Sequence, residues 1–176
     1  MKYFKKLVGQ KCYLSPISMD DVEKYTEWLN DIDITSNLAL INQNISIYTE
    51  KEFLSNLLKT HCYAIVDLAT DTLLGNVALV DVNHFYRTAE LGIFIGFKDY
   101  LHKGYGEEAI RLILRYAFNY LNIRNVMLKV YAFNERAIQC YKKVGFKEIG
   151  RRRNAIIQNM QEYDLIFMDV LNDEIP

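Results

Sequence analysis

The stretch "LHKGYGEEAIRLILRYAF", residues 101–118, sets Gly104 and Gly106 two positions apart at the head of an amphipathic run. His102 and Lys103 stand just upstream, and Tyr105 lies between the glycines. The first turn of a helix leaves its backbone N–H groups unpaired and carries the positive end of the helix dipole. Glycine lets the chain curl so that several N–H groups converge on one anion, and lets that anion come close. A phosphate or pyrophosphate is the guest such a loop can hold. An ordinary loop that uses glycine only to turn is the alternative, because short glycine motifs have many false positives. "GYGEEA" also fits the dinucleotide pattern G-x-G-x-x-A, which expects an acidic residue about 20 positions on. No Asp or Glu lies between Ala109 and Asn134, so that pattern is rejected. No Gly-Lys-Ser/Thr follows the glycines either, which removes a P-loop.

The elements that must position this loop can be read from the pattern of apolar residues. A helix over about 104–121 puts Ala109, Ile110, Ile113, Ala117, Tyr120 and Leu121 on one face, with Glu107 one turn before Arg111 on the other. Upstream, "HCYAIVDLAT" and "LLGNVALVDVN" read as strands joined by a turn at Thr70-Asp71-Thr72, and "TAELGIFIGF" as a third. Downstream, "VMLKVYAF" reads as a strand. "NERAIQCYKKV" is a short helix with Asn134 as N-cap and Gly145 as C-cap. "FKEIGRR" and "EYDLIFMDVL" are two further strands. Near the start, "KCYLSP" is a short strand. Ser18 with Asp21, and Thr49 with Glu52, have the spacing of capping boxes that open two helices. Residues 31–48 form a polar connection without a clear period.

At 176 residues and 51% hydrophobic, with two prolines, the chain has the size and composition of one globular domain, 1–176. A net charge of -1 gives no reason to expect nucleic acid or a membrane surface as partner. The start, "MKYFKKLVGQKCY", lacks the apolar run of a signal peptide, and no apolar run is long enough to span a bilayer. Cys12, Cys62 and Cys140 are odd in number and lack CxxC spacing. A disulfide framework or a metal site is therefore not expected, and a cytoplasmic location fits.

"AELGIFIG", then "KGYGEEA", then "NERAIQCYKKVGFKEIG" resemble the GNAT superfamily of acetyl-CoA-dependent N-acetyltransferases. Within it the likeness is to the branch of the ribosomal-protein N-terminal and the spermidine/spermine acetyltransferases, which "YLSPISMDDVEKYTEWLND" and "VALVDVNHFYRTAELGI" also resemble. The likeness covers almost the whole chain. Leu101 departs from it, since many members carry Gln or Arg there. The resemblance implies an α/β (α+β) fold: a central mixed, mostly antiparallel sheet of about seven strands flanked by four helices. It implies acetyl-CoA as co-substrate and no metal. The coenzyme's pyrophosphate would lie on the amides of His102, Lys103, Gly104, Tyr105, Gly106 and Glu107. Its pantetheine arm would run beside Phe94 and Ile95, and Asn134 would touch it from the next loop. Lys103, Arg136, Lys142 and Lys143 are candidates to screen the 3′-phosphate. Arg151, Arg152 and Arg153 are not, because successive strand residues alternate faces.

The implied reaction is attack of a neutral amine on the thioester carbonyl, which needs one proton removed and one supplied to the leaving thiolate. Tyr141, in the pattern Asn134-x-x-Ala137-x-x-x-Tyr141, holds the position of the family's acid. A packed helix tyrosine, one of thirteen, is the alternative. Glu90, on the strand that lines the family's site, is the candidate base, directly or through a water. A paired or solvated carboxylate is the other reading. His84 is a weaker candidate near the acceptor.

The first two helices form the family's acceptor lip. Between residues 20 and 33 stand Asp20, Asp21, Glu23, Glu27, Asp31 and Asp33 against one lysine, Lys24. An acidic lip with Trp28, Asp31 and Asp33 would draw a cationic small-molecule amine or a peptide N-terminus, although acidic residues also favour a helix's first turn. A homo-oligomer is compatible with this reading. A non-catalytic acyl-CoA-binding module would keep the glycine loop and need neither Tyr141 nor a base.

Overall fold

The computed structural model describes residues 2–175. Among them are eight strands and five α-helices. In chain order these are β1 (Leu7–Val8), β2 (Cys12–Pro16), α1 (Val22–Leu29), α2 (Ile32–Thr35), α3 (Ile47–Leu57), β3 (His61–Asp67), β4 (Leu73–Asn83), β5 (Thr88–Ile95), α4 (Tyr105–Asn119), β6 (Asn125–Tyr131), α5 (Glu135–Val144), β7 (Lys147–Gln158) and β8 (Gln161–Leu171). The sheet is mixed, with β5 and β6 parallel and the β1–β2, β2–β3, β3–β4, β6–β8 and β7–β8 registers antiparallel. The count exceeds the expected seven strands and four helices. β1 has two residues and α2 a single turn, both too short to show a period in sequence.

The chain divides into two compact units, Met1–Val80 with Gly92–Ile113, and Asp81–Leu91 with Leu114–Pro176. In the first unit the strands run in the order β1-β2-β3-β4, followed by the end of β5. β2 pairs β3 from Cys12↔Asp67 to Pro16↔Tyr63. Tyr13, Tyr25, Trp28, Leu54, Ala64 and Val66 lie in its core. Ser18 accepts from the Asp20 N–H and heads a 3-10 turn over Met19–Asp21. Asp21 does not complete a capping box: it is buried and accepts from the Tyr3 hydroxyl at 3.0 and 3.1 Å and from Lys2. The second box is Ser46 with Thr49, so the cap of α3 stands three residues before the expected one.

In the second unit the order is the start of β5, then β6, β8 and β7. β8 buries Ile166, Met168 and Val170 on alternate residues, as a half-covered strand must. α5 is capped as its sequence predicts: Asn134 accepts from the Ala137 N–H at 3.2 Å, and Gly145 closes the helix at φ 126°. Arg151 pairs with Glu148 and Asp164 rather than joining an anion patch.

α4 buries Ala109, Ile110, Ile113 and Ala117 as expected, and also Leu112 and Leu114. Tyr120 lies past its end, exposed, stacked on Tyr116. The helix therefore has a broader apolar face at its centre than the sequence reading gave it, and a shorter one at its end. Among the described residues no helix is long and apolar enough to cross a membrane.

Candidate active site

In the first unit the glycine loop turns through two left-handed residues, His102 at φ 61° and Gly104 at φ 86°. The second needs glycine; the first is a conformation that histidine tolerates better than most residues. The first helical bond of α4 runs from the Glu108 N–H to the Gly104 carbonyl at 3.1 Å. Among the described residues the N–H groups of residues 102 to 107 have no hydrogen-bond partner. They form a row of open donors at the positive end of a fifteen-residue helix. A Cβ on Gly106 would meet nothing within 4 Å, so that face of the loop is open.

Side chains hold this loop from outside it. Tyr105 donates its hydroxyl to Asp67 at 2.6 Å. Burial pulls the Asp67 carboxyl upward, but the bonds from Tyr105 and Thr70 outweigh it and hold the group below the usual range. The same bond, with burial, pushes the Tyr105 phenol up to about 12. Glu108 accepts from the backbone N–H groups of Gln10, Lys11 and Cys12, each at 2.8 Å. Those donors overcome the cost of burial and lower its carboxyl. Glu107 pairs with Arg111 at 3.1 Å, as the spacing predicts.

The candidate acceptor residues of this unit are more engaged than their sequence suggests. Trp28 is 4% exposed and meets Tyr25, Phe94 and Phe97 edge-to-face. One side of it borders a shallow concavity of about 190 Å³ that Phe97, Glu27, Asp31 and Lys98 also line. Lys98 reaches Asp31 at 2.7 Å and Asp33 at 2.9 Å. Its hydrogen bond is the main reason the Asp31 carboxyl is lowered. Lys24 pairs with Glu27 and lies over the Trp28 and Phe97 rings at 5.4 and 5.6 Å. The Phe94 carbonyl and Ile95 Cα crowd the position a Cβ on Gly75 would take, at 2.0 and 2.9 Å. Glycine at 75 is thus required for β4 to pass the end of β5.

In the second unit, Tyr141 is half-buried on α5, with its ring 5.9 Å from that of Phe146. Burial, then the neighbouring Cys140, pushes its phenol well above the ordinary range. Its hydroxyl has no hydrogen-bond partner among the described residues, and no fully buried side-chain oxygen among them lacks one. The hydroxyl therefore reaches solvent rather than being sealed in the core. Glu90, on β5, pairs with Lys129 of β6 at 2.8 Å. The parallel ladder between these strands covers Thr88↔Asn125 to Glu90↔Met127 and stops there, although both strands run on. The Asn134 side-chain oxygen is occupied as the α5 cap. His84 lies in the exposed turn between β4 and β5, beside Phe85 and Tyr86.

Lys11, Asp67, Lys98, Glu108 and Lys129 were not anticipated. Their partners lie 92, 38, 65 and 96 to 98 residues away in sequence for the first four, so no local spacing signals them. Lys129 is no more local, since its partner Glu90 stands on a different strand, β5, that only the sheet brings beside β6.

A model of the acetyltransferase (GNAT) domain matches residues 11–147, and the chain belongs to that family. GNAT acetyltransferases use acetyl-CoA as co-substrate. Spermidine N(1)-acetyltransferase of Escherichia coli (strain K12) is 35% identical over 100 residues, covering 57% of this chain and 53% of that protein. The chain thus spans about half the length of that curated relative. N-acetyltransferase 9-like protein of Dictyostelium discoideum is 28% identical over 167 residues, covering 82% and 78%. The crystal structure of spermidine N-acetyltransferase from Vibrio cholerae, in complex with CoA and spermine, has the same fold. Its TM-score is 0.84 at 24% identity, over 94% of this chain and 98% of that one.

Proposed function

We propose that this protein is an N-acetyltransferase that moves the acetyl group of acetyl-CoA to a primary amine, with a polyamine as the acceptor class. The row of unpaired N–H groups at residues 102–107 carries this reading. Six adjacent donors at a helix N-terminus suit a pyrophosphate, and the open face at Gly106 leaves it room. The pantetheine arm would follow the backbone of Phe94 and Ile95.

The amine nitrogen attacks the carbonyl carbon, the carbon–sulfur bond breaks and the electron pair leaves on sulfur. Tyr141 supplies the proton. Burial raises the phenol's pKa, which favours its protonated, donating form, and its hydroxyl has no protein acceptor to compete with sulfur. Glu90 takes the proton from the amine, directly or through a water. It would do so from an ion pair with Lys129, which fixes the direction in which the carboxylate faces. The polyamine class rests on the relatives named above and on a concavity lined by Trp28, Phe97, Glu27 and Asp31, where Lys24 and Lys98 now hold the acids and a bound ammonium would have to replace them. A peptide N-terminus lacks the second ammonium that such a lining would hold.

The test is acetyl-CoA with a panel of polyamines, monoamines and peptides, read as free thiol, alongside calorimetry with CoA. Thiol release highest with polyamines is expected. CoA binding without thiol release on any amine would make the protein a non-catalytic acyl-CoA-binding module. Absence of CoA binding would remove the assignment altogether.

A further inference from the structure

The turn between β1 and β2 is far from the glycine loop in sequence, yet the loop is tied to it. The Glu108 carboxylate accepts all three N–H groups of Gln10, Lys11 and Cys12 at 2.8 Å. The contact is close enough that a Cβ on Gly9 would stand 2.6 Å from the Glu108 carboxyl carbon. From this anchored turn Lys11 extends its side chain back over the loop. Its ammonium donates to the Lys103 carbonyl at 2.7 Å and lies 3.0 Å from the place a Cβ on Gly104 would occupy. An ammonium has three N–H donors. One is used on Lys103, and among the described residues neither a carboxylate nor any further acceptor takes the others.

We propose that Lys11 is a phosphate-binding residue, held at the glycine loop by Glu108 so that its ammonium completes the cradle that the amides of residues 102–107 begin. The inference rests on the reading of that loop as the coenzyme's pyrophosphate site. Backbone amides offer partial charges and fixed directions; Lys11 adds the full positive charge they lack. Lys103, the nearer lysine in sequence, has its ammonium 5.5 Å from the Tyr100 ring. Glu108 is a positioning residue: it never meets the anion, and its carboxylate is spent on the turn. The arrangement also explains why an acidic residue is tolerated in the first turn beside an anion site, since its charge is absorbed by three donors facing the other way.

The experiment compares the full-length protein with Lys11→Met and Lys11→Arg, titrated calorimetrically with CoA and with pantetheine, which lacks the phosphates. One charge-assisted phosphate contact predicts that Lys11→Met weakens CoA by about tenfold. It should also flatten the salt dependence of CoA affinity and leave pantetheine unchanged. Lys11→Arg should keep most of the affinity. Unchanged CoA affinity in folded Lys11→Met would overturn the proposal, and so would an equal loss for CoA and pantetheine, which would mean that the loop had merely deformed. Wild-type protein that fails to bind CoA would instead strike at the pyrophosphate reading, and this inference would fall with it.

Discussion

Around residues 102–107 side chains are tied down and backbone donors are left open: Tyr105 is bonded to Asp67, Glu108 to three N–H groups and Lys11 to the Lys103 carbonyl. Around Tyr141 the arrangement is reversed. The backbone of α5 is closed at both ends by Asn134 and Gly145, and the side-chain hydroxyl is the group without a partner. A site that must hold a preformed anion gains from fixed geometry, because the donors then need no reorganisation when the ligand arrives. A group that must give up a proton gains from an unengaged O–H and a rigid backbone behind it. On the proposed function, the contrast would separate a residue's part in binding from its part in chemistry.

The largest test of that contrast is Tyr141→Phe. It keeps the ring against Phe146 and removes only the open hydroxyl. Loss of a positioned acid should slow single-turnover acetyl transfer by roughly 10²–10⁴-fold, with CoA affinity and melting temperature nearly unchanged. Since burial raises this phenol, the wild-type rate should climb as the amine deprotonates and show no fall below about pH 10, the ordinary tyrosine pKa. A near-normal rate in the folded variant would return Tyr141 to the packing role.

A smaller loss is expected from the loop. Gly106→Val adds bulk at a position where a Cβ meets nothing within 4 Å, so the fold should survive while CoA affinity drops at least about tenfold. Gly104→Val is the less clean variant, because its left-handed φ and the Lys11 ammonium would strain the apoprotein as well. Full CoA affinity in Gly106→Val would show that the open amides do not face the ligand.

The same contrast appears between two glutamates of the first unit. Glu108 has three donors and its carboxyl is lowered. Glu50 on α3 is 2% exposed, its carboxyl has no ion-pair or hydrogen-bond partner among the described residues, and burial lifts it from 4.5 to about 7. The folded chain therefore holds a proton that the unfolded chain has released. Stability falls as pH rises from the unfolded value through the folded one and is level above it. A shift of that size is worth on the order of 3 kcal/mol. Glu50→Gln should then raise the melting temperature at pH 8 by about 5–10 °C relative to its effect at pH 5. Parallel melting profiles for the two proteins across that range would show that Glu50 is solvated after all.

What could be read in the sequence follows the range of the interactions. The Asn134 and Gly145 caps and the Glu107–Arg111 pair act within a few residues, and each is where its spacing puts it, while the α4 face was legible in its centre and not at its end. Capping boxes failed where another partner took the side chain: Asp21 goes to Tyr3 and Lys2, which only the fold brings to it, and Thr49 to Ser46 on its other side. Lys11, Asp67 and Glu108 escaped because β2, β3 and α4 meet only through the fold. The count of lip charges missed Lys98 for the same reason.

That omission sets the smallest prediction. Asp31 and Asp33 were counted as free anions, but with Lys98 they form a cluster of net charge -1 rather than -2. Lys98→Met restores the full negative charge, whereas Asp31→Asn with Asp33→Asn leaves Lys98 as a lone cation. Asparagine at 31 can still cap α2, so the fold should be kept. If the lip steers a polycation, the apparent KM for spermidine at low salt should rise in the order Lys98→Met, wild type, double Asn variant. The groups are exposed and such pairs are worth at most about 1 kcal/mol, so each step should be no more than about fivefold. The order should collapse as salt shortens the reach of these charges to about 8–10 Å near physiological strength. The same KM for all three proteins at low salt would mean that the acceptor is not drawn by this lip, and the polyamine assignment would then have to stand on the aromatic wall of Trp28 and Phe97 alone.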